Sequence, residues 1–392
     1  AGGAPPPPRL LLPGLVDAHV HTREPGYPWK EDLGSASRAA AAGGVTTILA
    51  MPNTNPPMTG TAAIQMARRE AEKKSVVSSF LVGGACAPRP QAIRGMKAAG
   101  AVALDVYDDL FGAGTETWLS MLLEAKKEGL PLCFYLMDGA LERFCRERQR
   151  ARGKDPWEVI AGATDAETEA ASIARIFPLA AYLQAPAVIR MVSTKKAVEL
   201  IRCMKRLYPD APVCAEACLS YLFLTREDFR RQGAGAHVHP PLRGEEDVRA
   251  LWEGLSDGTL DYIASDHAPH AQEEKERPKL EDCASGIAGL EVMLPLLLDA
   301  AKRGRLGLSD LIRLCCEAPA RIYGLSGKGA IGEGMDADLV LADWNGERTV
   351  PARGRFTRGA ATPYAGRRLT GWPVFTMCRG RLVFGDGMPE GM

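Results

Sequence analysis

Histidine is scarce in this chain: six in 392 residues, at positions 19, 21, 237, 239, 267 and 270, with none between His21 and His237. Imidazole chemistry is therefore confined to two stretches far apart in sequence. Long apolar runs are also missing. None approaches the roughly 18 residues a membrane span needs, and the N-terminus lacks the basic-then-apolar order of a signal peptide, so nothing addresses the chain to a membrane. Net charge is absent as well. With 48 Lys plus Arg against 48 Asp plus Glu, no global field favours nucleic acid or an anionic surface. The ten cysteines, among them Cys86, Cys133, Cys214, Cys218, Cys315 and Cys316, form no CxxC pair and keep no regular spacing. That pattern fits buried thiols in a reducing compartment, so a cytoplasmic protein is expected.

What is present is enough apolar residue, 46% against 24% charged, to bury one large core. Residues 1–9 are a Gly/Ala/Pro-rich lead-in without an initiator methionine, read as a linker from a longer polypeptide or as a processed terminus. Short apolar runs then recur at residues 10–21, 45–51, 76–83, 102–107, 131–136, 187–192, 212–218 and 261–266, separated by helix-length segments. Eight such runs predict an α/β protein with a (β/α)₈ TIM barrel over residues 10–325. Amphipathic helices are expected at 289–301 and 308–323. Strands at 337–343 and 374–384 place a small β-rich C-terminal appendage at 326–392. Residues 271–285, dense in charge after the eighth run, read as a mobile lid, and the arginine-rich stretch 139–162 as a solvated helix.

In such barrels chemistry gathers at the C-terminal ends of the strands. The first run ends Asp17-Ala18-His19-Val20-His21, and histidines two apart on a strand project the same way, so they can share a metal or simply be two satisfied histidines at the barrel mouth. His19-Val20-His21-Thr22-Arg23-Glu24-Pro25-Gly26, Met51-Pro52-Asn53-Thr54 and Ala264-Ser265-Asp266-His267-Ala268-Pro269-His270 stand at the ends of runs one, two and eight. With Ser285-Gly286-Ile287-Ala288-Gly289-Leu290-Glu291 and Gly334-Met335-Asp336-Ala337-Asp338 further on, these motifs resemble the dihydroorotases, cyclic amidohydrolases that interconvert N-carbamoyl-aspartate and dihydroorotate. The layout is similar to the dihydroorotase domain of fused pyrimidine-synthesis proteins, most of all the inactive fungal type.

The resemblance implies a metal-held hydroxide and an Asp general acid/base, here Asp266. It also implies substrate contacts from Arg23, Asn53 and His270. The family's two-metal form adds a bridging carboxylated lysine on the fourth strand and one histidine each on the fifth and sixth. Here those positions hold Asp105, Tyr135 and Met191, and no nearby histidine restores them. What remains is His19, His21 and Asp266, enough for at most one zinc ion. Two readings follow. The favoured one is a catalytically degenerate scaffold domain, without cofactor, dimerising while tethered to carbamoyl-phosphate synthetase and aspartate transcarbamoylase domains. The alternative is an active mononuclear-zinc cyclic amidohydrolase, dihydroorotase or hydantoinase-like.

Overall fold

The computed structural model describes residues 9–85, 91–106, 114–136 and 138–387; the expected linker residues 1–8, Cys86 and the last residue of the fourth run, Tyr107, lie outside these. Eight parallel strands follow one another around a barrel: β2 (Leu15–Val20), β3 (Val45–Ala50), β4 (Ser78–Gly84), β5 (Ala101–Val106), β6 (Leu132–Tyr135), β7 (Ala187–Val192), β8 (Val213–Cys218) and β9 (Tyr262–Ala264). Each pairs with the next in sequence, as parallel strands joined by helical crossovers do. The ring is nearly closed. Between β9 and β2 the ladder reduces to a bridge from Val20 to His267, helped by the His21 amide on the His267 carbonyl at 2.8 Å and the Ser265 amide on the Asp17 carboxylate at 3.0 Å. The closing seam is thus made by the first and last strand ends.

Side chains of alternate residues fill the interior, among them Val16, Leu49, Val82, Cys133, Val188 and Tyr262. A second cluster lies between the strands and the surrounding helices. That double burial explains why the strands read as nearly continuous apolar runs. The helices start where short polar residues stand: Asp32 caps Leu33–Ala42 by accepting from the Ser35 amide, and Gly43 ends it. Asp138 caps Gly139–Ala151, which buries none of its residues, as a solvated helix would; the stretch expected as one helix over 139–162 divides, however, and its second helix, Pro156–Ala161, buries Val159, Ile160 and Ala161. Among the described residues no helix is long and apolar enough to cross a membrane, and nine cysteines are all free thiols.

One expected element divides. The run at 10–21 is two strands: β1 (Arg9–Pro13) leaves the barrel and pairs antiparallel with β10 (Leu339–Thr349), and only β2 joins the barrel. Gly14 separates them, and the chain passes so close to β3 that a Cβ there would meet Thr46 Oγ1 at 2.1 Å. The run at 374–384 likewise divides into β11 (Arg368–Cys378) and β12 (Arg381–Gly385), turning at Arg379 and Gly380, both at positive φ. The antiparallel sheet β1-β10-β11-β12 therefore draws on both chain ends.

A buried cation pins that sheet to the barrel. Lys328, 7% exposed, places Nζ 2.8 Å from Asp338 and Asp336 and 2.7 Å from the Ser78 hydroxyl on β4. Asp338 also accepts the Arg379 amide at 2.7 Å. Removing one member of such a group leaves the other charge buried and unpaired. Lys328→Met is expected to lower unfolding free energy by about 3 kcal/mol, measured from urea midpoints, whereas Lys302→Met on the exposed rim changes it by less than about 1 kcal/mol.

Candidate active site

The end of β2 carries His19 and His21 to the barrel mouth, aided by a register shift between Asp17 and Val20. Each imidazole commits one nitrogen to an orienting partner. His19 Nδ1 donates to Glu216 Oε1 at 2.9 Å, and His21 Nδ1 donates to Asn53 Oδ1 at 2.7 Å. Both Nε2 atoms then turn to one oxygen, Asp266 Oδ1, at 3.5 Å from His19 and 3.3 Å from His21. Asp266 follows β9 with φ of 47°, a left-handed backbone that costs a non-glycine residue about 1–3 kcal/mol and persists where the surroundings enforce it.

Two nitrogens and a carboxylate oxygen, all within 4.8 Å of one another, form a donor set that suits a borderline dication such as zinc. The Nδ1 hydrogen bonds are the outer partners that fix the tautomer and ring orientation of metal-ligating histidines. By donor chemistry and orientation, these three residues fit a single ion. A second group, His19, Glu216 and Cys218, is as tightly gathered. Its carboxylate is already engaged: Oε1 receives His19, the Met191 amide at 3.3 Å and the Cys218 thiol at 3.4 Å, while Oε2 receives the Tyr262 hydroxyl at 2.7 Å.

Charge follows this geometry. Burial pushes the Glu216 carboxyl up, but His19 and Arg190 outweigh it and bring it down to about 2. Burial pulls the His19 imidazole down, yet the Glu216 charge, opposed by Arg190 and supported by Asp266, leaves it raised. Burial, with the nearby Arg23 charge, takes His21 down to about 4.

Beside this cluster is a polar cleft of about 270 Å³, lined by His21, Arg23, Asn53, Tyr135, Asp266 and His270 among others. Arg23, at φ of 59°, donates through Nε to the Pro269 carbonyl at 3.1 Å and through Nη2 to His270 Nε2 at 3.1 Å. His270 is held neutral, its pKa lowered to about 2 by burial and by the charges of Arg23, Lys30 and Lys275. Gly286 forms part of the rim at φ of 130°; a Cβ there would strike the Ala268 carbonyl at 2.4 Å.

The three positions at which the resemblance implies other ligands, 105, 135 and 191, take other work. Asp105 lies 3.1 Å from Arg190 Nε. The Tyr135 hydroxyl donates to the His239 carbonyl, and His239 Nε2 in turn lies 3.5 Å from Glu142. Met191 is buried in the outer core. His267 is structural: its Nε2 donates to Glu31 at 3.2 Å and its Nδ1 accepts the Gly289 amide at 3.2 Å. The segment 271–285 is tied down, since Lys275, 9% exposed, donates to the carbonyls of Ala234 and His237.

The amidohydrolase family model matches residues 10–383. The chain belongs to the amidohydrolase family. It is 39% identical over 391 residues to a dihydroorotase of Thermus aquaticus, covering 95% of this chain and 88% of that protein. It is 36% identical over 378 residues to a dihydroorotase of Methanothermobacter thermautotrophicus, covering 96% and 85%. Among solved structures, the L-hydantoinase (dihydropyrimidinase) of Arthrobacter aurescens superposes with a TM-score of 0.92 at 29% identity, over 97% of this chain and 86% of that one.

These relatives overturn the favoured reading of a degenerate scaffold inside a fused pyrimidine-synthesis protein. The match to dihydroorotases runs over 95–96% of the chain. Nothing in those relatives ties it to a carbamoyl-phosphate synthetase or an aspartate transcarbamoylase. The scaffold reading counted lost ligands at Asp105, Tyr135 and Met191. The count concerned a second metal, whereas His19, His21 and Asp266 form a set without those residues.

Sequence reasoning missed Glu216 and Arg190. Both carry charge in otherwise apolar strands, at positions whose alternation turns them into the barrel. That was the available signal, and attention to histidine passed over it.

Acid stability reads out a nearby buried imidazole. His237 stacks on Phe229 with ring centroids 5.6 Å apart, and burial, with the charge of Lys275, lowers its pKa to about 3 from 6.5. A depressed histidine stays neutral in the fold while the unfolded chain takes up a proton below its ordinary value, so stability falls as pH drops from 6.5 toward 3. His237→Phe is expected to flatten urea midpoints across that window relative to wild type; an unchanged slope refutes the assignment.

Proposed function

We propose that this amidohydrolase is a dihydroorotase that works with a single zinc ion, opening the ring of dihydroorotate to N-carbamoyl-aspartate and closing it in reverse. The observation that carries the reading is the convergence of the His19 and His21 Nε2 atoms on the Asp266 carboxylate beside the Arg23 cleft. His19, His21 and Asp266 would hold the ion. When bound, it supplies Lewis-acid polarisation and makes water a nucleophile near neutral pH.

The remaining work falls to the chain's own groups. Arg23 pairs with the substrate carboxylate through its planar fork. His270, neutral and accepting from Arg23, keeps that guanidinium in place without competing for the anion. Asn53 holds the His21 ring through its Oδ1 and offers its amide NH₂ to the substrate. In the hydrolytic direction water adds to the ring carbonyl carbon and the C–N bond breaks. Asp266 takes the proton from water and returns it to the departing ring nitrogen, so one carboxylate serves both halves. Tyr135 and Gly286 line the same cleft.

The likeness to a hydantoinase leaves the ring substrate to be separated by charge. An arginine in the cleft favours dihydroorotate, which carries a carboxylate, over a neutral hydantoin. The zinc-loaded protein is expected to turn over dihydroorotate, and Asp266→Asn to lower kcat by about 10²–10⁴-fold. Arg23→Lys should raise KM by about tenfold or more with a smaller change in kcat, since an ammonium cannot reproduce the bidentate fork. A zinc-loaded wild-type protein without dihydroorotate turnover overturns the proposal; preference for an uncharged hydantoin overturns its substrate assignment.

A further inference from the structure

Beneath the histidine pair lies a cation that the reaction does not use. Arg190 sits on β7 with its side chain fully buried. Its Nε is 3.1 Å from Asp105 and its Nη1 is 3.5 Å from Glu216 Oε2. Nη1 also donates to the Ala18 carbonyl at 3.3 Å, between the first strand's Asp17 and His19. Neither Nε nor Nη2 makes a hydrogen bond, so the Asp105 contact is an ion pair. A guanidinium buried with a donor unused is held by charge, because burial with incomplete hydrogen bonding costs several kcal/mol unless opposite charges offset it.

We propose that Arg190 is a built-in cation that does the electrostatic work of a second metal ion and thereby limits this site to one. The proposal rests on the single-zinc reading above. Three carboxylates surround the cluster: Asp266 faces the imidazoles, Glu216 holds His19, and Asp105 stands at the position of the family's bridging lysine. Asp17, the fourth buried acid nearby, takes the amides of His19 and Ser265 on Oδ1, and in the count of charges it is offset by Arg23, whose charge acts on His21. Arg190 and one dication together match the three carboxylates. A second dication would leave two positive charges unmatched in a water-excluded interior, where such an excess is expensive.

The guanidinium also removes ligands. It is donor-only, and it lies 3.5 Å from Glu216 Oε2 and 3.1 Å from Asp105, so the charge of both carboxylates is engaged by it rather than by an ion. Arg190 is accordingly a positioning residue: it holds Glu216, and Glu216 holds the His19 ring with Nε2 toward Asp266. The replacement of three ligands then reads as one coherent change, with a fixed cation in exchange for an ion and its ligands.

The test is metal stoichiometry on the full chain, by elemental analysis after dialysis and by cobalt(II) titration followed in the visible spectrum, neither of which depends on activity. Wild type and Arg190→Lys are expected to bind about one ion per chain, and Arg190→Met about two, because Asp105 loses its ion pair with Arg190 and the buried negative charge of Asp105 and Glu216 is left to a second cation. Arg190→Met without metal should melt below wild type and recover with excess zinc. In Asp105→Asn/Arg190→Met one carboxylate and the cation leave together, so that chain folds even where Arg190→Met does not, and binds about one ion. Arg190→Met holding one ion with an unchanged melting response overturns the proposal, as does a wild type, lysine variant or double variant that binds two. A wild type that binds none fails the single-zinc reading itself, and is distinguished from those outcomes by its own titration.

Discussion

A carboxylate taken out of water must be met by opposite charge and by donors, and Glu216 is met by both on each side. One oxygen holds the His19 imidazole and the Met191 amide; the other receives the Tyr262 hydroxyl and faces Arg190. His19 and, through it, the approach to Asp266 take their orientation from this point. His19 turns Nε2 outward because its Nδ1 is occupied, and Asp266 has a place to aim because His19 and His21 face it. A lysine or a metal could supply charge to Glu216, but the planar guanidinium also reaches Asp105 and the Ala18 carbonyl, so it binds strands β2, β5, β7 and β8 to one centre.

Two further acids, buried Glu31 and half-buried Glu291, hold the rim. Glu31 accepts from His267, the Thr357 hydroxyl and the Arg358 amide. Glu291 accepts the amides of Arg355, Phe356 and Thr357. The connection between β10 and β11 is thereby fastened to the helices beside the site, and the Ala360 amide reaches the His270 carbonyl at 2.9 Å. Irregular backbone is kept at low cost because its amides find carboxylates in place of water. The connection between two strands of the sheet built from both chain ends is thus hydrogen-bonded to His270 of the polar cleft.

Much of this was legible before any coordinates. Runs of apolar residues marked the barrel strands closely, 45–51 against Val45–Ala50 and 187–192 against Ala187–Val192, since a strand buried on both faces must be apolar throughout. The division at Gly14 was not legible, because β1 and β2 are equally apolar and only their partners differ. The candidate site was legible as residue types at strand ends: His19, His21, Asp266, Arg23, Asn53 and His270 all gather at one mouth. Glu216 and Arg190 were visible as letters, but their value lies in each other's proximity.

The sequence by itself determined the barrel, through the length and spacing of its apolar runs, and the absence of imidazole on the third to seventh strands, through composition alone. Those follow from local rules: alternation, turn residues and the donor atoms each side chain carries. Only the tertiary structure decided that His19, His21 and Asp266 come together without the residues at 105, 135 and 191, and that Asp105 pairs with Arg190. Both depend on distances of 3–4 Å between residues more than 80 positions apart in the chain, which strand order and barrel closure set and no single segment contains.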